Sequence, residues 1–253
     1  MLRARVIPCL VIQNGNLIKT TKFRNPVYIG DPINAVKIFN EKNADEIIVL
    51  DIDATSKKKE PDYKLIKQLV RESRMPMCYG GGVKNLDQVK KIISFGIEKI
   101  SLSSAAILDP NLIPSIVKEV GSQSTIVTLD IISNKDQNDF NIYINNGKTK
   151  TSITLYETLK NLEAAGTGEI IINSINLDGA MTGYDLDLAE KIYLKTRIPI
   201  TILGGAGSLD DIKELFNRCK YIGAAAGSLF VFKGVYKAVL INYPSLEKKI
   251  SLF

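Results

Sequence analysis

The chain has 253 residues, 45% of them hydrophobic, with 33 Lys and Arg, 27 Asp and Glu, and no histidine. That length and apolar content suffice for a substantial core, in one α/β barrel or two smaller domains. The missing imidazole removes His-based triads, HExxH zinc sites and imidazole acid–base catalysis. The net charge of +6 is scattered along the chain without interleaved aromatics, which favours an anionic small molecule over nucleic acid as ligand.

The opening MLRARVIPCLVI is too short an apolar run for a spanning helix and lacks a cleavage site. It reads as a strand over 4–12 of a cytoplasmic protein with no membrane attachment. Cys9, Cys78 and Cys219 are far apart with no CxxC spacing, which suits a reducing compartment and small buried side chains. After Gly30, Asp31 can cap a helix over Ile33 to Lys42 with Pro32 in its first turn. Lys57, Lys58 and Lys59 read as a solvated loop. Further β-branched runs predict strands near 46–51, 76–80, 98–103, 124–131, 169–174, 199–203 and 220–225. The polar stretch 132–150 is an excursion after the fifth strand, with Asn146-Gly147 marking a hairpin turn. Eight strands alternating with amphipathic helical segments predict a parallel (β/α)8 TIM barrel, with function at the carboxyl ends of its strands.

The chain also repeats itself. EIIVLDID from Glu46, CYGGGV ending at Val83 and KISLSSAA ending at Ala106 are echoed by EIIINSIN from Glu169, TILGGAG ending at Gly207 and YIGAAAGSLF ending at Phe230. Glu46 and Glu169, Gly80 and Gly204, and Ser104 and Ser228 are 123, 124 and 124 residues apart. With no Pro/Gly/Ser linker between the copies, residues 1–253 read as one domain of two fused half-barrels, roughly 1–120 and 121–253. If RVIPCLVI is matched to STIVTLDII, Val11 falls opposite Asp130, so one half carries a carboxylate where the other carries valine.

Glycine-rich turns follow the third and seventh strands (Gly80, Gly81, Gly82; Gly204, Gly205), and small-residue turns follow the fourth and eighth (Ser103, Ser104; Gly227, Ser228). Such glycines either permit a tight turn or let backbone N–H groups approach a phosphate. Their duplication, with serines at matched places, favours two phosphate cradles across one barrel mouth and a ligand with an anionic group at each end. No cluster has metal-ligand spacing, so neither metal nor organic cofactor is expected.

Over essentially its whole length the chain resembles the cyclase subunit of imidazole glycerol phosphate synthase. The residues carrying the resemblance are Arg5, Cys9-Leu10, Lys19, Phe23, Gly30-Asp31-Pro32, Leu50-Asp51, Gly80-Gly81-Gly82, Lys99, Ser104-Ala105-Ala106, Asp130, Gly168-Glu169, Asp178-Gly179, Gly183-Tyr184-Asp185 and Gly204-Gly205-Ala206-Gly207. The resemblance implies a two-half barrel that takes ammonia from a glutaminase docked on its amino-terminal face. It implies cleavage and cyclisation of a bis-phosphorylated ribulosyl-formimino ribonucleotide by two aspartates ending the first and fifth strands. Asp130 matches the second; Val11 stands in place of the first, and valine can neither donate nor accept a proton. Ser103 replaces an Asn beside the phosphate, and Ile12-Gln13-Asn14 replaces usually charged positions. Asp51 and Asp53, read as second-strand residues, are candidate substitute acids.

The same resemblance assigns Lys19, Asp51, Gly81, Gly82, Ser103, Ser104, Asn173, Ser174, Asp178, Gly179, Gly204, Gly205, Gly227 and Ser228 to substrate and phosphate binding. It assigns Arg5, Glu46, Lys99 and Glu169 to a charged ammonia gate, all four types being intact. Lys19 and Phe23 would sit on a loop folding over the mouth. The expectation is an ammonia-conducting subunit of a glutamine amidotransferase complex, of the kind that serves surface-polysaccharide sugar amidation. Two alternatives stand beside it: an authentic histidine-pathway cyclase, and a scaffold that activates a glutaminase without chemistry of its own. A barrel isomerase fits less well, because it needs no gate.

Overall fold

A computed structural model describes residues 4–134 and 139–253. The first half runs β1 (Arg5–Gln13), β2 (Asn16–Thr21), β3 (Arg24–Gly30), α1 (Pro32–Glu41), β4 (Ile47–Asp51), α2 (Ile52–Ser56), α3 (Tyr63–Glu72), β5 (Met77–Gly80), α4 (Leu86–Ile93), β6 (Lys99–Leu102), α5 (Ser104–Leu108) and α6 (Leu112–Val120). The second runs β7 (Thr125–Asn134), β8 (Asp139–Ile144), β9 (Thr149–Thr154), α7 (Leu155–Ala164), β10 (Glu169–Ser174), α8 (Leu186–Tyr193), β11 (Ile200–Leu203), α9 (Leu209–Arg218), β12 (Gly223–Ala226) and α10 (Ser228–Val231). A small hairpin, β13 (Phe232–Lys233) with β14 (Ala238–Val239), and α11 (Leu246–Ile250) finish the chain.

Strands β1, β4, β5, β6, β7, β10, β11 and β12 pair in that order, all parallel, and β12 closes on β1. This is the (β/α)8 barrel expected of the alternating pattern. Asp31 caps α1 by accepting from the Ile33 and Asn34 amides, and Pro32 occupies the first helical position. The eighth strand starts at Gly223 rather than 220, because Lys220 and Tyr221 remain in solvent. One core lies between sheet and helices; a second, inside the barrel, is built from Ile7, Cys9, Ile48, Cys78, Ile126, Ile171, Leu203 and Ala225.

Each half also carries a hairpin at its mouth. The stretch read as a loop after β1 is the antiparallel pair β2–β3, so Lys19 lies on a strand and Phe23 in the turn. The Asn14-Gly15 turn has both φ positive (51° and 74°), the two-residue geometry that matches strand twist. After β7, the polar excursion is the pair β8–β9, turning at Asn145, Asn146 and Gly147 with φ of 56°, 56° and 73°. Residues 135–138 of that excursion lie outside the described residues.

The two hairpins meet over the mouth. Phe23 has φ 62°, a strained conformation for a bulky side chain. Its amide donates to Asp178 (3.4 Å), and a Cβ on Gly147 would lie 3.0 Å from its ring. Asn146 Nδ2 donates to the Ile52 carbonyl at 2.6 Å. Gly179 (φ +65°) lets the 178–179 turn lie against Thr20, whose carbonyl a Cβ there would strike. Gly179→Ala is therefore expected to destabilise the fold by about 2–3 kcal/mol and to speed amide exchange over 16–30. An unchanged urea midpoint would contradict this packing.

Candidate functional site

The carboxyl ends of the barrel strands open into a cavity of about 650 Å³. Side chains alternate along each strand, so Cys9 and Val11 of β1 and Thr128 and Asp130 of β7 face inward and line it. Of the residues assigned from sequence, Val11, Lys19, Asp51, Gly81, Gly82, Ser103, Ser104, Asp130, Asn173, Asp178, Gly179, Gly204, Gly205, Gly227 and Ser228 are brought together there. Ser174 is not: it follows the inward Asn173 by one residue, is 1% exposed and does not line the cavity. It lies buried beside the cavity rather than in its lining.

Asp130 is the central carboxyl. Burial pushes it up to about 7; the Asn173 amide, donating at 2.8 Å, pulls the other way, and the Asp178 charge adds to the rise. A carboxyl poised near neutrality can exchange a proton with a ligand at physiological pH. Because the folded chain holds this proton from pH 3.8 to about 7 while the unfolded chain has released it, stability falls as pH rises across that window. Asp130→Asn removes the penalty. It is expected to be more stable than the wild type at pH 8.5, by up to about 4 kcal/mol, with the gap closing towards pH 4. A gap independent of pH would contradict the assignment.

The candidate substitute acids are otherwise engaged. Asp51 caps α2, accepting from the Asp53 and Ala54 amides at 2.9 and 3.3 Å; burial raises its pKa, with those two bonds opposing. Asp53 lies on α2 rather than on the strand. It pairs with Lys57 at 2.7 Å and accepts from the Asn14 amide at 2.8 Å. Desolvation acts upward, but these partners outweigh it and hold Asp53 below the ordinary carboxylate range. Both line the cavity beside Asp130, Asp51 with its pKa raised and Asp53 held as a carboxylate by its partners.

Lys19 is 5% exposed and reaches back to the Cys9 carbonyl at 2.6 Å, past Gly227, where any Cβ would strike its ammonium. Burial lowers its pKa against the influence of Cys9 and Asp178. Asp178 accepts from Thr20 Oγ1 at 2.8 Å, which fastens β2 to the turn after β10. Burial raises its own carboxyl pKa.

The two cradles match in backbone as well as in sequence. Gly81 and Gly205 have φ of 127° and 110°, and a Cβ at either would strike a carbonyl of the adjoining loop, Asp51 or Gly183. Tight loop packing is thus one reason for these glycines, and it sets their backbone at the cavity wall. Ser103 (φ −126°, ψ −94°) and Gly227 (φ −102°, ψ −72°) hold the same unusual turn at the end of their strands.

At the opposite end, Arg5, Glu46, Lys99 and Glu169 form a closed ring. Arg5 bonds Glu46 at 2.6 Å and Glu169 at 2.7 Å, and Lys99 bonds the same two carboxylates at 2.7 and 2.9 Å. Thr201 Oγ1 also donates to Glu169. Burial opposes the charges of Arg5, Lys99 and Glu169, yet the carboxylates raise the Arg5 and Lys99 pKa values, and the two cations hold Glu169 low. Four separate surface charges are thereby excluded. The barrel is stacked from ring through apolar interior to polar mouth.

Sequence reasoning missed the hydroxyl pair Ser101–Thr128 (2.6 Å) lining the cavity, although each lies two residues before an assigned inward position. It also missed Asn145, whose backbone amide donates to Ser104 Oγ at 3.0 Å, and the lining cations Lys58, Lys84 and Lys148. Among the described residues no helix is long and apolar enough to cross a membrane, and no three His, Cys, Asp or Glu side chains group as a metal site.

Fold and site together define an α/β barrel subunit with a deep polar mouth and an ion-paired base. Residues 5–237 match the family described as "Histidine biosynthesis protein". The chain is 53% identical over 253 residues, all of both chains, to a Leptospira borgpetersenii protein provisionally named imidazole glycerol phosphate synthase subunit HisF. It is 50% identical over 249 residues (98% of this chain, 96% of the relative) to a Vibrio vulnificus protein with the same provisional name, numbered hisF3. A Lactococcus lactis subsp. cremoris protein named imidazole glycerol phosphate synthase subunit HisF is 39% identical over 230 residues, 91% of this chain and 89% of the relative. The chain belongs to the histidine biosynthesis protein family, among its HisF-type barrel subunits.

Proposed function

We propose that this chain is the barrel subunit of a glutamine amidotransferase whose own cyclase chemistry is weakened. It receives ammonia from a glutaminase docked on the amino-terminal face, where Arg5, Glu46, Lys99 and Glu169 act as the gate. Ammonia then passes the apolar interior to the mouth, where Gly81, Gly82, Ser103 and Ser104 on one side and Gly204, Gly205, Gly227 and Ser228 on the other hold an anionic ligand. Residues 1–253 act as one domain of two fused half-barrels, and the two mouth hairpins support that division. Delivery is to the amidation of a surface-polysaccharide sugar. The observation that carries the reading is the combination of an intact ion-pair ring with valine at position 11, so that the place on β1 matching Asp130 on β7 has no carboxyl.

A second reading, an authentic histidine-pathway cyclase, is favoured by Asp130 near neutrality and by the two matched cradles. In a strain lacking its own cyclase subunit, the chain co-expressed with its glutaminase is expected not to restore growth without histidine. Growth at the rate given by an authentic subunit would overturn the first reading and establish the second.

A further inference from the structure

The matched cradles differ in the charge around them. The loop after β4 packs on Gly82, whose Cβ would meet Ala54 and the Lys59 carbonyl, and this loop carries Lys58. Lys84 follows Gly82 by two residues on the loop after β5. Lys148 ends the β8–β9 turn whose Asn145 amide bonds Ser104. All three lysines are exposed, line the cavity and form no ion pair among the described residues. The nearby acids are engaged: Asp51 as a helix cap, Asp53 with Lys57, Asp109 with the Asn111 amide, and Glu60, facing Lys84, with Gln88 and Tyr63. Among the described residues, the only cation lining the second cradle is Lys19, buried and turned to the Cys9 carbonyl, and Asp178 stands beside it.

Resting on the proposed anion-binding role of the cavity, we propose that the first cradle takes a diphosphate group and the second a single phosphate or smaller anion. The ligand is then a sugar or nucleoside diphosphate ester, and it enters in one orientation. A monophosphate ester carries about −1.5 to −2 charges, which one buried lysine and a turn can balance. Three exposed ammonium groups around one turn match a longer, more highly charged group.

Calorimetric titration of the full chain at low salt with inorganic pyrophosphate and with orthophosphate tests this. Pyrophosphate is expected to bind at least 10-fold tighter. Lys84→Ala and Lys148→Ala should each weaken pyrophosphate 3- to 10-fold and orthophosphate less than 2-fold, without changing the melting temperature. Lys213→Ala, on the outer helix α9, should change neither affinity. Equal affinities for the two anions, or a Lys213→Ala loss as large as the others, would overturn the diphosphate assignment while leaving the proposed function standing. Failure to bind either anion would overturn both the assignment and the cavity's anion-binding role.

Discussion

Val11→Asp is expected to raise cyclase turnover by about 10²–10⁴-fold, assayed with saturating ammonium and the bis-phosphorylated ribulosyl-formimino ribonucleotide. Ammonium bypasses the glutaminase, so only the barrel's chemistry is read. Val11 is half-buried, pairs in register with Leu50 and Ile18, and faces the same cavity as Asp130. A carboxyl there would be less enclosed than Asp130 and would ionise at lower pH, so the two could serve as base and acid. The pH–rate profile of the variant should be bell-shaped. A wild type that already turns over as fast as Val11→Asp would contradict the idea that this position limits the chemistry.

Lys99→Met is expected to destabilise the chain by about 3 kcal/mol, read from urea unfolding, because it leaves Glu46 and Glu169 with Arg5 alone. The sign with pH follows from Glu169. Burial acts upward, but Arg5 and Lys99 prevail and hold its carboxyl near 2, so the ring's contribution is complete above pH 4.5 and is lost as pH falls towards 2. The stability gap between wild type and variant should hold above pH 4.5 and shrink between pH 4.5 and pH 2. A constant gap would mean that the ring contributes packing rather than charge pairing.

Much of this was legible in the chain because strands impose a period of two and the chain states its device twice. Arg5, Lys99 and Glu169 each open a strand and Glu46 immediately precedes one, so four charges at strand starts had to converge at one barrel end. Val11 and Asp130 follow from the same alternation. Ser174 follows the inward Asn173 by one residue, so its parity places it beside the cavity lining rather than in it. The β2–β3 hairpin was legible at Asn14-Gly15 but not at its tip. Lys22 and Phe23 take φ of 53° and 62° with no glycine to announce it. That turn is held by distant partners, including the Lys22 amide on the Asp178 carbonyl at 2.8 Å. Lys58, seen as part of a charge run, is assigned to the cavity only once the loop after β4 is packed on Gly82.

On the proposed function, ammonia enters through the ring and reaches the mouth without mixing with solvent. This route is tested most directly by isotope partition in the barrel–glutaminase complex carrying Val11→Asp as reporter. Glutamine labelled with ¹⁵N in its amide would be supplied with an excess of unlabelled ammonium, and the nitrogen in the cyclised product measured. The account predicts product dominated by the glutamine label with the ring intact, and label diluted towards the bulk ratio once Lys99→Met is added. Dilution to the bulk ratio with the ring intact would contradict it.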